Sequence, residues 1–511
     1  MDRTTATRAL IGAIVIGGIA QAWLYGTALG INAVLLTAIV LATAWIIAYR
    51  AGRADRLDPL DWWIPLAALA VAGMIGLRSD PTLLFLDSVT AATLLGASMA
   101  AIAGAAVTRQ SALAITVLGT IVLGWICVGV LRVTAAARTA DQAPGWRPGS
   151  QLPSWVAPIA RGLLIAVPVL IMFVALFASA DAIFATLAGK LFAFQLDLGE
   201  LPIRICLAFL IAWPVAGLLA VGGGAAGMDR ERARAVPQSL GAAVAEPLPL
   251  LPRLGTIEAV TILAAVDALF ATFVVLQLAY LFGGLDTMAA GGITYANYAR
   301  GGFFQLVAVT VLAGGLVICL HAVVEQRTRL FVGSAVALAG LAGVVLASAA
   351  LRLALYQEAY GWTELRFYID ATIVWLGIGI VAATLLFVRD RMRWLPHAMV
   401  ISAIGVLIGV NVIGPQRHVA DQNVARLLDP ALVPPDGRQG LDIWYMLTLD
   451  DDAVPALVKG LPALTAEDRA AVTDQLSYRW DLLQLPELTA WPALNLAREE
   501  ARRALLPLFG Q

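Results

Sequence analysis

The residues best equipped for chemistry in this 511-residue chain are ionisable and aromatic side chains set between long apolar runs. One such segment reads Thr294-Tyr295-Ala296-Asn297-Tyr298-Ala299-Arg300. A second carries Arg352, Tyr356, Glu358, Tyr360, Glu364 and Arg366, then Tyr368 and Asp370, while Asp181, Glu200 and Arg204 flank two further apolar runs. Asp181, Glu200, Glu358, Glu364 and Asp370 stand against Arg204, Arg300, Arg352 and Arg366. A nearly balanced set of charges can satisfy itself by mutual pairing if the geometry is good. Arg366 and Asp370 have i,i+4 spacing, as do Glu200 and Arg204, so each pair shares a face on a continuous helix. Two readings stay open. The set is an interfacial belt, where Tyr and Trp sit at headgroup level and Arg snorkels, or it is a binding site, the default for ionisable groups near membrane depth.

Three more ionisable groups lie inside apolar runs. Asp267 is 11 residues into its run, about 16 Å deep at 1.5 Å per residue, and Glu258 is about 3 Å deep on the opposite helix face. Arg161, in a neighbouring run that starts from the same side, is about 9 Å deep. The expectation is that Arg161 approaches Asp267 or Glu258. Pairing would keep the acid ionised and structural, whereas isolation would suit proton-linked work.

Other chemistry is excluded by pattern. Cys127, Cys206 and Cys319 sit singly in apolar runs without Cys-x-x-Cys spacing, which supports neither a disulfide framework nor a zinc site. His321, His397 and His418 lack metal-ligand spacing. Gly222-Gly223-Gly224-Ala225-Ala226-Gly227 matches G-x-G-x-x-G but follows an apolar run, not the strand of a βαβ unit. No Gly-x-Ser-x-Gly or His-Glu-x-x-His motif occurs. No catalytic residue, cofactor or metal is assigned. A net charge of −1 gives no basic stripe for nucleic acid.

What positions these residues is a membrane bundle. At 60% hydrophobic and 14% charged, the chain has far too few charges for a soluble globule, where about a quarter is usual. About twelve apolar spans, with 11 to 13 allowed, are read at 9–25, 27–49, 62–77, 83–107, 111–131, 155–180, 201–222, 256–282, 302–322, 330–351, 366–388 and 396–413. Each is near the roughly 20 residues that a bilayer crossing takes. The first run lacks a clear small-x-small cleavage site and reads as a retained helix. The segment 181–200 reads as interfacial or re-entrant. The fold class is therefore all-α: a polytopic transmembrane bundle over 1–413, with a small soluble helical lobe over 414–511.

In the lobe, Thr465 and Asp468 form a capping box, and Val472, Leu476, Trp480 and Leu483 form an apolar helical stripe. Asp452 and Pro455 open another short helix. Acids outnumber bases 14 to 9 there, which argues against anionic lipid bound through bulk charge.

Sidedness follows the arginines. The loops 132–154, 223–255, 323–329 and 389–395 hold twelve of them, against Lys190, Arg300, Arg352 and Arg366 in the intervening loops. That places the first set in the cytoplasm and the lobe outside it. Arg50, Arg53 and Arg56 conflict, being three spans from the 132–154 loop. Either the short third span fails to cross, or Asp55, Asp58 and Asp61 mark a translocated loop. By parity, the loops after spans six, eight and ten share a side with the tail, which is expected to rest on 283–301 or 352–365.

The Tyr-Ala-x-Tyr-Ala-Arg-x-Gly-Phe-Phe run at 295–304 and the Ala-Leu-Arg-Leu and Tyr-x-Glu-Ala-Tyr-Gly-x-Thr-x-Leu-Arg runs at 350–366 carry a resemblance. So do Ser179-Ala180-Asp181 with Phe184, Glu258 and Asp267 with 277–284, and Asp452-Ala453-Val454-Pro455-Ala456-Leu457. Together, over about residues 155–460, they resemble the bacterial multi-pass family known as domain of unknown function 4173 (4153/4173-like). The chain departs from that pattern at Asn297, Gly301 and Gln305, where acid, base and acid are expected. The resemblance implies a bacterial inner-membrane protein and supplies no activity.

Three functions remain in view. The first is a non-enzymatic scaffold, assembly factor or sensor that binds a protein partner through its Tyr/Arg-rich face and tail. The second is a proton-linked transporter using Asp267. The third is an interfacial enzyme on a lipid-linked substrate, with Glu358 or Asp370 as acid or base and Arg300 or Arg352 holding an anionic group.

Overall fold

A computed structural model describes residues 3–53, 56–110, 112–138, 201–225, 255–282, 303–324, 326–435 and 437–510. All regular elements among them are helical. In chain order they are α1 (Arg3–Leu24), α2 (Ile31–Arg50), α3 (Trp63–Met74), α4 (Pro81–Ile102), α5 (Ala112–Arg138), α6 (Leu201–Gly222), α7 (Thr256–Phe282), α8 (Phe303–Val323), α9 (Arg329–Tyr360), α10 (Glu364–Val388) and α11 (Leu395–Ile413). The C-terminal part adds α12 (Pro415–Leu428), α13 (Val454–Gly460), α14 (Ala466–Leu483) and α15 (Leu496–Phe509), joined by short turns. Among the described residues, eight helices are long and apolar enough to cross a membrane, with shorter apolar stretches in α3, α5 and α8. Every expected span coincides with a helix except 155–180, which lies outside the described residues.

Local sequence explains the boundaries. Asp80 caps α4 by accepting from the Thr82 and Leu83 amides at 2.8 and 3.3 Å, and Pro81 occupies the first helical position, where its missing N–H costs nothing. Thr328, Thr363, Thr465 and Asn495 cap α9, α10, α14 and α15 in the same way. Of the expected capping box, the Thr465 half is present: its hydroxyl accepts from the Asp468 amide at 3.1 Å, while the Asp468 carboxylate accepts from that hydroxyl at 2.8 Å and not from the Thr465 amide. The tenth span runs on past residue 351 to Tyr360, because nothing breaks the helix before Gly361. Arg352, Tyr356, Glu358 and Tyr360 therefore stand on a helix, and only Gly361 to Thr363 form the turn. Between α1 and α6 the helices nearly touch at Gly17, where a Cβ would collide with the Ala208 carbonyl. Small residues permit such close approach where no hydrophobic force drives helices together.

Three apolar cores result. One joins α1 to α6, a second joins α7 to α10, and the third gathers Met446, Leu457, Val472, Leu476 and Leu505 of the C-terminal part around Leu83, Phe367 and Val410 of α4, α10 and α11.

The two ends of the bundle differ. At one end the Arg53 guanidinium donates to the Gly223 carbonyl at 3.0 Å, Asp61 accepts from the Val107 and Thr108 amides at 2.8 Å each, and Arg109 pairs with Asp58 at 2.7 Å. Arg327 meets Asp390 at the far ends of α9 and α10. At the other end, the C-terminal helices cover the α1–α2, α3–α4 and α9–α10 turns.

The short helix α3 runs from the Asp61 end to the covered end and is one of the shorter apolar helices, below the length of a crossing. Asp58 and Asp61 are structural acceptors at the end where it starts. Arg50, Arg53 and Arg56 share the basic end with Arg327, Arg329, Arg389, Arg391 and Arg393. Helix α4 finishes at the basic end, and α6 starts at the covered end, with Arg204 over the Tyr25 ring at 4.6 Å.

Candidate functional site

The richest polar assembly lies where the C-terminal helices meet the bundle. Arg78, in the turn before α4, donates to the Asn411 and Val412 carbonyls at 2.6 Å each and pairs with Asp452 at 3.1 Å. Both side chains are deeply buried, 8% and 2% exposed. The second oxygen of Asp452 accepts from the Ser79 amide and hydroxyl at 2.8 and 3.0 Å. Asp452 opens the segment leading into α13, so the motif Asp-Ala-Val-Pro is an anchor for the tail. Next to it, the Tyr368 hydroxyl donates to Asp80 at 2.9 Å and Asn411 donates to Asp87 at 2.9 Å. Burial pushes the Asp80 carboxyl above the usual range, against the pull of Tyr368 and the two helix amides.

A second seam holds the α9–α10 turn. Asn423 and Trp362 exchange two hydrogen bonds of 2.9 Å. The Glu364 amide donates to the Tyr445 hydroxyl at 2.8 Å. Gln416 donates to the Glu364 carboxylate at 3.0 Å and accepts from the Asp450 amide at 2.7 Å. Arg426 reaches the Ala359 carbonyl at 3.2 Å. The tail thus rests on 352–365, as the sequence leads one to expect; 283–301 lies outside the described residues.

The expected residues separate as follows. Glu364 lies in the seam. Asp370 accepts from Gln357 at 2.8 Å, while Arg366 donates to the Gly361 carbonyl and lies over the Tyr356 ring at 4.1 Å. The two share a face of the continuous helix α10 but no ion pair among the described residues. Each has a nearer partner in the α9–α10 hairpin. Tyr356 and Tyr360 stack at 5.0 Å, and Glu358 is exposed. Arg352 lies a turn before Tyr356 on the same helix. Glu258 accepts from the Gly255 amide at 2.9 Å at the start of α7, as a local cap. Asp267 keeps one buried oxygen without a hydrogen-bond partner among the described residues. Asp181, Glu200, Tyr295, Tyr298, Arg300 and Arg161 lie outside the described residues, and with them the Glu200–Arg204 and Arg161–Asp267 pairings.

Sequence reasoning missed Arg78, Asp80, Asp87, Asn411, Gln416, Asn423 and Arg498. The signal for Asp87 was its presence inside a span. Asp80 followed by Pro81 was legible as a helix start.

The geometry is better suited to holding than to reacting. Among the described residues no group of His, Cys, Asp and Glu is placed to bind a metal. A groove of ≈ 480 Å³ between α4, α10 and α11 is lined by Thr82, Leu86, Tyr368, Trp375 and Val406 with their neighbours. Neither Glu358 nor Asp370 lines it.

His418 makes this junction sensitive to pH. Its ring lies 5.0 Å from Trp362 and 5.6 Å from Phe367, and burial lowers its pKa, with Asp421 pulling the other way. The unfolded chain protonates this group near 6.5 while the folded chain resists. The contribution is complete above pH 6.5 and is lost as pH falls through 6.5 towards the depressed folded value. Thermal unfolding between about pH 8 and 5 should show a loss on acidification that shrinks in His418→Phe. An identical pH profile for the variant would refute the assignment.

A family model described as "Domain of unknown function (DUF4153)" matches residues 64–460, reaching further towards the N-terminus than the motif runs that begin near residue 155. No curated protein and no solved structure matches the chain.

Proposed function

Because the chain belongs to that family, a membrane domain whose description assigns no activity, we propose from its geometry that this multi-pass membrane protein is a non-enzymatic scaffold, assembly factor or sensor. The observation that carries this reading is the buried polar junction between tail and bundle. Arg78 and Asp452, and Glu364 and Gln416, are each committed to one another. These groups fix the tail in place, which is what a presenting surface needs. Beside the seam, Trp444 is 83% exposed and adjoins Tyr445, whose hydroxyl is bound to the turn carrying the exposed Leu365. A protruding Trp next to an aliphatic side chain suits the centre of a protein interface.

The basic end, with Arg50, Arg53, Arg56, Arg327, Arg329, Arg389, Arg391 and Arg393, is the cytoplasmic one under the positive-inside rule. The tail then faces outward from a bacterial inner membrane. A reporter fused after Gln511 should be active only when it works outside the cytoplasm, and cytoplasmic activity would reverse this orientation.

The interface itself is tested by a photo-cross-linking residue at position 444 in intact membranes. One protein should be captured in amounts comparable to the chain, and Trp444→Ala should abolish its co-purification without changing thermal unfolding. Adducts confined to lipid would overturn the reading. Proton-linked transport is the second reading, favoured by the unpartnered oxygen of Asp267 inside α7. Proton uptake by vesicles carrying the protein, lost in Asp267→Asn, would support it over the scaffold.

A further inference from the structure

The acidic tail contains one stretch, 484–497, with a single charged residue, Glu487. That stretch is stitched to the bundle by its backbone. The Ala28 amide donates to the Glu487 carbonyl at 3.0 Å and the Ile31 amide to the Leu494 carbonyl at 3.0 Å. The Leu496 and Ala497 amides donate to the Gly76 and Leu77 carbonyls at 2.8 and 3.2 Å. Asn495 adds bonds to the Ile75 and Arg78 carbonyls at 3.0 and 2.8 Å. Gly30 lies so close that a Cβ would stand 2.5 to 2.7 Å from the Ala493 and Leu494 backbone.

These contacts fix the depth of the stretch. Helix α2 has 20 residues, about 30 Å at 1.5 Å per residue, which matches the hydrocarbon thickness of a bilayer. Ile31, its first residue, therefore marks the hydrocarbon boundary, and Leu494 is one hydrogen bond away. At the same level the Trp491 ring stands edge-on to Trp23 of α1, with centroids 5.4 Å apart. Yet Trp491 is 60% and Leu494 54% exposed, with Leu485 and Leu496 also uncovered. Apolar and Trp side chains held at that depth next to spanning helices face lipid.

We propose that Trp491 and Leu494, assisted by Leu485 and Leu496, form a foot that inserts into the interfacial layer of the bilayer that the spans cross. The tail is thus supported by the lipid as well as by the bundle. The partner is the glycerol and upper acyl region, not headgroup charge, since the stretch carries no cation before Arg498.

In phosphatidylcholine nanodiscs, nitroxides at positions 491 and 494, in a background with Cys127, Cys206 and Cys319 replaced by Ser, report accessibility to oxygen and to a water-soluble nickel chelate. The ratio should favour oxygen several-fold over a label at Glu467, in the exposed first turn of α14. Equal ratios would overturn the proposal. A second measurement keeps the native cysteines. Lipids brominated high on the acyl chain should quench a larger fraction of the emission of the wild type than of Trp491→Phe, and equal fractions would overturn it.

Discussion

Arg78→Ala is expected to unfasten the tail from the membrane bundle. The guanidinium makes three bonds that span three elements: the Asn411 and Val412 carbonyls at the end of α11, and Asp452 before α13. Removing one partner of a buried pair leaves the other charge without compensation, a loss of about 3–5 kcal/mol. In Arg78→Ala that stranded charge is Asp452, which retains only the Ser79 donors. Thermal unfolding in nanodiscs should show a large drop, with proteolytic cutting appearing between α11 and α12. Asp452→Asn should cost less, because an amide can keep the Ser79 contacts without a stranded negative charge. A cycle with Asp452→Ala separates the pair from its surroundings: the double variant should lose less than the two single variants combined. Simple additivity would mean that the pair is not the link.

The membrane helices were legible from the sequence because a crossing demands a long uninterrupted apolar run. Nothing within a run competes with that signal, so α7 and α8 were placed within a residue or so. Ends governed by a single residue were less legible. The tenth span was stopped at Leu351 because polarity rises there, yet the backbone stays helical until Gly361 can adopt a positive φ of 87°. The candidate site was legible in part for a related reason. Glu364 and Asp370 drew notice by charge density, but the partners that define their roles, Gln416 and Gln357, are uncharged and carry no pattern. The Arg78–Asp452 pair joins positions 374 residues apart, and no local spacing announces such a contact. Asp452 is legible as a helix start and through a family motif, and Arg78 only as a lone cation in a short turn.

Gly414→Ala is expected to strain the joint between span and tail twice over. Gly414 ends α11 and precedes Pro415 of α12, so the chain must turn within one residue. It does so at φ 75°, where an L side chain costs about 1–2 kcal/mol. The added Cβ would also stand 2.7 Å from Arg78 Cζ and 2.9 Å from its Nη1. A flexible arginine would swing aside at little cost, but Asp452 and two carbonyls pin this one. The variant must therefore either distort the joint or break the Arg78 contacts, and its loss should approach that of Arg78→Ala. The two contributions separate in a double variant. With Arg78 already removed, the collision vanishes and Gly414→Ala should cost only the backbone term. Thermal unfolding of the four proteins gives the cycle. If Gly414→Ala costs the same with and without Arg78, the guanidinium does not press on the joint, and the pinning of Arg78 by Asp452 is weaker than its geometry implies.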